Sequence, residues 1–314
     1  MQIKQIVLLL IISSILIPAT TSMADESTVF EPYTSGGCKP YSTKQLESIK
    51  ASNNSNLMAG AGSIDFLTNP TSTEINNLLS KGSHFESPKG PATVALIIFQ
   101  LNRDLPLKPL KDQISDLKQG DKENALSYYL NALLLQEESK NKEALEQIIK
   151  GNHKIYNGYV RERFYSSTDA AQIANCRLKH SRHLAFFSAA GIDVIPRKLR
   201  HLCRNLTKAY GREARDACSL MGRKLEEGSL TCLGKIFSLN IQSDSLDESP
   251  TSTPVRAEIK RKWQSANDCG EGRALDIEET NVTEEADSKF YEIFLAKGEA
   301  AAQEFLADFV KQIL

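Results

Sequence analysis

The sequence predicts an all-α protein, built as an irregular helical array for which solenoid-like stacking is one possible form, and stapled by disulfides in its C-terminal half. From about residue 73 onward, apolar residues recur at spacings of three and four, which is typical of amphipathic helices. The period-two alternation of strands is scarce. Five of the six cysteines lie between Cys176 and Cys269, so the crosslinks are expected mainly there.

The first 24 residues have the pattern of a secretory signal peptide. Lys4 precedes an apolar run from Ile6 to Ile17, and small residues follow up to Ala24. The run is about a dozen residues long, whereas a membrane-spanning helix needs about 20. We therefore expect cleavage after Ala24, an exported chain in the periplasm or the medium, and no transmembrane segment after cleavage.

Export makes disulfides the expected state of the cysteines, because they form and persist in oxidising compartments. Six cysteines allow 15 pairings, among which the sequence does not choose. No C-x-x-C motif is present, which excludes a thioredoxin-type redox motif, a zinc ribbon and a c-type haem site. No cofactor is predicted. The disulfide candidates are Cys38, Cys176, Cys203, Cys218, Cys232 and Cys269.

Composition divides the remainder of the chain into four parts. Residues 25–71 are rich in Ser, Thr, Asn and Gly, and Ala59-Gly60-Ala61-Gly62 has the composition of a turn, so an extended or loosely ordered arm is expected. Residues 72–242 form a helical domain, and the Ser-, Asp- and Pro-rich residues 243–254 form a linker. Residues 255–314 are expected to form helices that pack on the main domain.

The strongest helical pattern runs from Lys122 to Glu137, with Asp121 as the expected N-cap. It is apolar on most of its circumference, which is typical of a helix buried between neighbours. A polar turn over residues 138–141 leads to a second short helix, which Gly151 is able to end.

This hairpin resembles a tetratricopeptide repeat, a helix-turn-helix unit of 34 residues. The alternating large and small residues of that pattern fall at Tyr128, Ala132, Leu135, Ala144 and Ile148. Asn131, Gly151 and Tyr156 depart from the pattern, and no second copy lies 34 residues away, so an ordinary helical hairpin is the alternative. The resemblance implies a concave surface that binds peptides or proteins, with Tyr128, Asn131 and Leu135 on the helix that lines it.

One cluster has the spacing of a metal site. Cys176, His180 and His183 are at i, i+4 and i+7, on one face of a helix. Three basic residues between 177 and 182 would repel a cation, and Cys176 is a disulfide candidate. The preferred interpretation is a disulfide beside two solvent-facing histidines, with no metal site.

Charge is unevenly distributed, although the whole chain has a formal net charge of -1. The segment 177–224 has twelve basic and three acidic residues, and the segment 271–308 has eleven acidic and three basic residues. These blocks predict either an anion-binding patch or, as the favoured alternative, solvated helix faces or intramolecular docking of the two blocks on each other. Nucleic-acid binding is not predicted, because no aromatic residues interleave with the basic ones and export removes the chain from the cytosol.

No catalytic motif is found: a G-x-S-x-G elbow, a phosphate-binding loop and a convincing Cys–His pair are all missing from the sequence. The leading hypothesis is therefore an exported helical scaffold or adapter that binds a protein or an envelope component. A hydrolase with a dispersed active site is the alternative, and a metal-binding protein using His180 and His183 is a weaker one.

Overall fold

The computed structural model describes residues 41–68, 72–173, 191–247, 252–271 and 284–313. Within these ranges the chain is helical and has no strand, which confirms the all-α prediction. Several residues named above lie outside the described ranges: the predicted signal segment 1–24, residues 272–283 of the acidic block, and Cys38, Cys176, His180 and His183. No described helix combines the length and the apolar character needed to cross a membrane.

Fourteen α-helices follow one another along the described ranges. The first eight are α1 (Thr43–Ala51), α2 (Ser55–Thr68), α3 (Glu74–Phe85), α4 (Pro91–Asn102), α5 (Lys111–Gly120), α6 (Ala125–Glu137), α7 (Asn141–Asn152) and α8 (Val160–Ile173). The other six are α9 (Val194–Tyr210), α10 (Arg212–Gly228), α11 (Cys232–Asp244), α12 (Thr253–Glu271), α13 (Glu284–Lys297) and α14 (Glu299–Ile313). Two single 3₁₀ turns, Lys108–Leu110 and Gly191–Asp193, precede α5 and α9.

Helix α4 lies at the centre of the main core. Nine of its twelve residues are buried, and it packs against α2, α3, α8 and α9. A helix that is apolar all round must be covered on all sides, which explains why its neighbours surround it. The same core includes Leu96 of α4, Leu133 of α6 and Phe294 of α13, so the last helices share the core of the main domain.

The N-terminal end of α4 is capped by a residue outside the helix. The carboxylate of Glu86 accepts hydrogen bonds from the backbone amides of Ala92 and Thr93, both at 2.8 Å. Glu86 is itself buried. The first amides of a helix have no partner within it, so this carboxylate satisfies donors that would otherwise be buried and unpaired.

The prediction of an extended arm is wrong for residues 43–68, which form α1 and α2. A capping box between Ser42 and Gln45 starts α1. In α2 the glycines allow close packing rather than a turn. A Cβ on Gly60 would lie 2.1 Å from the carbonyl oxygen of Ser166 in α8, and one on Gly62 would lie 2.7 Å from the side chain of Leu79 in α3.

The predicted hairpin forms, with α6 and α7 packed against each other across the polar turn. The expected N-cap was wrong: α6 begins at Ala125, and its N-cap is Asn124, whose side chain accepts a hydrogen bond from the amide of Leu126. Asp121 instead follows the end of α5 and accepts a hydrogen bond from the Asn124 side chain. Gly151 lies inside α7, where the ring of Tyr129 approaches it closely.

Two disulfides confirm that the C-terminal half is stapled. Cys203 of α9 is bonded to Cys218 of α10, with a Cα–Cα distance of 5.9 Å. Cys232, the first residue of α11, is bonded to Cys269 near the end of α12, with a Cα–Cα distance of 6.1 Å. Each bridge therefore connects two helices that are consecutive in the chain.

Candidate functional site

The three residues predicted to bind a partner are partly covered. The ring of Tyr128 lies beneath the Lys118 ammonium group of α5, 4.8 Å from the ring centroid, and its hydroxyl donates to the carbonyl of Lys122 at 3.2 Å. Asn131 is half-buried, and Leu135 packs against the core. The face that these residues share is therefore next to α5 and only partly open to solvent.

A cleft of about 520 Å³ opens elsewhere on α6, where this helix meets the end of α4, the loop after α4 and the start of α9. Its volume lies in the range of ligand-binding pockets, roughly 300–1,000 Å³. None of the three predicted residues lines it. The lining residues are Leu101, Asp104, Leu105, Pro106, Leu107, Lys108, Leu133, Gln136, Glu137, Lys198 and His201.

Polar contacts fix the rim of the cleft. The carboxylate of Glu137 accepts hydrogen bonds from the amides of Leu107 and Lys108 at 2.8–3.1 Å, which attaches the loop to the end of α6. Lys198 of α9 forms an ion pair with Asp104, and its hydrogen bond lowers the pKa of that carboxyl group below the ordinary value. The apolar wall includes Leu105, whose surface is 41% exposed.

A second polar cluster surrounds the N-terminus of α11. The hydroxyl of Thr231, the N-cap, accepts a hydrogen bond from the amide of Gly234 and donates to the buried carboxylate of Asp193 at 2.7–2.8 Å. A Cβ on Gly234 would lie 2.5 Å from Asp193 Oδ1, so a glycine allows this carboxylate to approach. Burial lowers the pKa of the nearby Arg163 to about 10, and the charge of Asp193 opposes that shift.

The buried carboxylate of Glu299, the first residue of α14, also contacts this N-terminus. Its Oε2 accepts a hydrogen bond from the amide of Cys232 at 2.7 Å, and its own amide donates to the carbonyl of Leu230 at 2.7 Å. The sulfurs of Cys232 and Cys269 and a carboxylate oxygen of Glu299 all lie within 4.8 Å of one another. The positive end of the α11 dipole favours a carboxylate at this position.

The described part of the basic block makes several ion pairs with nearby residues. Arg200 and Arg204 of α9 both contact the carboxylate of Asp244 at the end of α11, at 2.8 Å. Arg212 lies near Asp216, one turn further along α10. Asp216 belongs to the basic block and Asp244 lies outside the acidic block 271–308, so these ion pairs are local and do not join the two blocks. Cys176, His180 and His183, the predicted metal cluster, lie outside the described residues.

No sequence motif joins the members of either polar cluster. Asp193 and Thr231 are 38 positions apart, and Cys232 and Glu299 are 67 apart. No local spacing rule links residues so distant, because helix packing alone brings them together. The one available indication was Thr231 itself, a favourable N-cap before an apolar segment.

Comparison of the chain with protein-family models, curated proteins and solved structures finds no match.

Proposed function

We propose that the chain is an exported helical scaffold or adapter, and that it binds another protein by accepting an apolar side chain of that partner in the cleft between α4, α6 and α9. The observation that carries this proposal is the cleft itself, which has an apolar wall and a polar rim on packed helices. Such a combination lets burial of apolar surface supply affinity while polar groups fix the orientation of the ligand.

The composition of the cleft favours binding over nucleophilic catalysis. No serine, threonine or cysteine is among its lining residues. The carboxylate of Glu137 is engaged by two backbone amides, and Asp104 is paired with Lys198. These polar groups therefore stabilise the walls of the cleft, which is what a binding scaffold requires.

The location in the periplasm or the medium rests on the N-terminal pattern together with the disulfides. Intact-mass analysis of protein recovered from the envelope or the medium should give a chain that begins at or near Asp25. A chain that still carries Met1 would contradict export with cleavage.

The binding proposal is tested by a photo-crosslinking amino acid placed at position 105 in cells. A matched control is position 255, because Val255 on α12 is 49% exposed, similar to Leu105, and is absent from the cleft lining. We expect a defined crosslinked protein from position 105 and none from position 255. The same purified partner should then bind the wild-type chain and Val255→Arg equally, but bind Leu105→Arg at least about tenfold more weakly.

A second pair of variants distinguishes binding at the cleft from binding at the hairpin face that was predicted from the sequence. Tyr128→Ala and Asn131→Arg change that face, and neither residue lines the cleft. Loss of binding in these variants with normal binding by Leu105→Arg would place the partner on the hairpin face instead. Equal binding by every variant would contradict the proposal.

A further inference from the structure

Three potential metal ligands from different helices meet beside the N-terminus of α11. Cys232 is the first residue of α11, Cys269 lies near the end of α12, and Glu299 is the first residue of α14. Their sulfur and oxygen atoms lie within 4.8 Å of one another. Cys232 and Glu299 are both 2% exposed, whereas Cys269 is half-buried, so the cluster is buried on one side and reachable from the other.

We propose that a dithiol reductant converts this cluster into a Zn²⁺ site with the two cysteine thiolates and the Glu299 carboxylate as ligands, and water in the fourth position. In the first step the dithiol supplies two electrons and two protons, the Cys232–Cys269 bond breaks, and the reductant becomes a cyclic disulfide. In the second step Zn²⁺ displaces the two thiol protons. The proposal is independent of the cleft and of its partner.

The positions of the backbone suit a tetrahedral zinc site. With Zn–S distances of about 2.3 Å, the two sulfurs of such a site lie about 3.7 Å apart. The sulfurs must therefore separate after reduction, and the Cα–Cα distance of 6.1 Å leaves room for this by side-chain rotation. Thiolates favour Zn²⁺ over the harder cations, which prefer oxygen ligands.

The carboxylate is held in place before any metal arrives. Glu299 Oε2 accepts from the Cys232 amide at 2.7 Å, and Oε1 accepts from the Gln303 side chain at 3.2 Å. The backbone is fixed as well, because the Glu299 amide donates to Leu230 and the preceding Gly298 has a positive φ of 88°. Hydrogen bonds of this kind fix the orientation of a metal ligand.

The two disulfides among the described residues differ in their accessibility to a reductant. Cys203 and Cys218 are both buried, whereas Cys269 is half-buried. Thiol–disulfide exchange requires direct attack on a sulfur, so the Cys232–Cys269 bridge is the more accessible of the two. After reduction, the position of Cys232 at the start of a helix favours its thiolate form.

The test is a titration of the full mature chain with Co²⁺, a spectroscopic substitute for Zn²⁺, after reduction with dithiothreitol and anaerobic removal of the reductant. We expect one equivalent to bind with a thiolate-to-cobalt charge-transfer band, and Zn²⁺ to displace it. The oxidised chain should give no such band. Far-UV circular dichroism before and after reduction reports whether the helices persist.

Four variants identify the ligands. Cys232→Ser combined with Cys269→Ser should abolish the signal, while Cys203→Ser combined with Cys218→Ser should retain it. Glu299→Gln should weaken Co²⁺ binding at least about tenfold. The matched control is Glu304→Gln, an exposed carboxylate on the same helix, which should leave the affinity unchanged.

Several results would overturn the proposal. These are a signal that survives in Cys232→Ser/Cys269→Ser, an affinity that Glu299→Gln does not change, and a reduced wild-type chain that binds no Co²⁺. A reduced chain that loses its helices and does not regain them on adding Co²⁺ would also overturn it, because the bridge would then be purely structural.

Discussion

The helices of the N-terminal and C-terminal halves are held together by different means. Helices α2 and α8 approach so closely that the Cα of Gly60 faces the backbone of Ser166, and no side chain fits between them. Helices α9 and α10 are instead joined by the Cys203–Cys218 disulfide. The first contact depends on van der Waals packing in the folded state, whereas the second also restricts the unfolded chain.

Buried carboxylates differ between the halves in a similar way. Asp65 of α2 is buried, and burial raises its pKa above the ordinary value. A hydrogen bond from Ser72 acts to lower this pKa, but its effect is smaller. Burial also acts to raise the pKa of Asp244 in α11, but hydrogen bonds from Arg200 and Arg204 outweigh it, and the net shift is downward. The contributions of these two carboxyl groups to stability should therefore change in opposite directions with pH.

The largest expected effect comes from Gly60→Ala, which should lower the free energy of unfolding by about 4 kcal/mol, above the usual range for overpacking. The reason is that the new methyl group would lie 2.1 Å from a backbone oxygen, so a whole helix must move. Urea denaturation measures the change. Gly62→Ala is the matched control, because its methyl group would be crowded by the side chain of Leu79 at 2.7 Å and would meet backbone only at an ordinary contact distance of 3.6 Å. Equal losses in the two variants would contradict the close-packing explanation.

Removal of the disulfide between α9 and α10 comes next. Cys203→Ser combined with Cys218→Ser should lower the free energy of unfolding by about 3 kcal/mol, since the bridge spans 15 residues and restricts the unfolded chain. Urea denaturation without reductant gives the comparison with wild type. Because the mechanism acts on the unfolded state, the same wild-type protein in dithiothreitol should move toward the variant. A loss below about 1 kcal/mol would mean that packing alone holds these helices.

A smaller effect is expected from Asp244→Asn, about 1 kcal/mol at neutral pH, because the ion pairs with Arg200 and Arg204 are partly exposed. A carboxyl group whose folded pKa is depressed adds stability above its unfolded pKa of about 3.9, and that stability is lost as the pH falls through the folded value. In thermal unfolding between about pH 7 and about pH 2, the stability of the variant should therefore fall less steeply with decreasing pH than that of wild type. If the stability of the two proteins changed in parallel with pH, Asp244 would not contribute to the acid dependence.

The smallest expected effect is an increase in stability. Asp65→Asn should raise the stability at about pH 7 by less than about 1 kcal/mol. A carboxyl group with a raised folded pKa favours the folded state most below its unfolded pKa, and stability falls as the pH rises through the folded value. Its Oδ2 has no hydrogen-bond partner among the described residues, which agrees with unfavourable ionisation. We expect the variant and wild type to be equally stable at about pH 4, and the variant to be the more stable of the two at about pH 7.

The all-α class, the α6–α7 hairpin and the stapled C-terminal half could be predicted from the sequence. Helical periodicity is a local property, and it depends only on residues three and four positions apart. The same local reasoning failed at residues 43–68, where glycine and alanine were interpreted as turn residues. Small residues also permit close helix packing, and only the partner surface on α8 distinguishes these two roles.

The sequence by itself determined the all-α class and most helical segments after about residue 73, because helical periodicity depends only on residues three and four positions apart. The tertiary structure decided which cysteines pair, which face of α6 lines a cleft, and that Cys232, Cys269 and Glu299 meet at one point. Contacts of this kind join residues tens of positions apart. They are set by how whole helices pack, and no spacing rule along the chain encodes that packing.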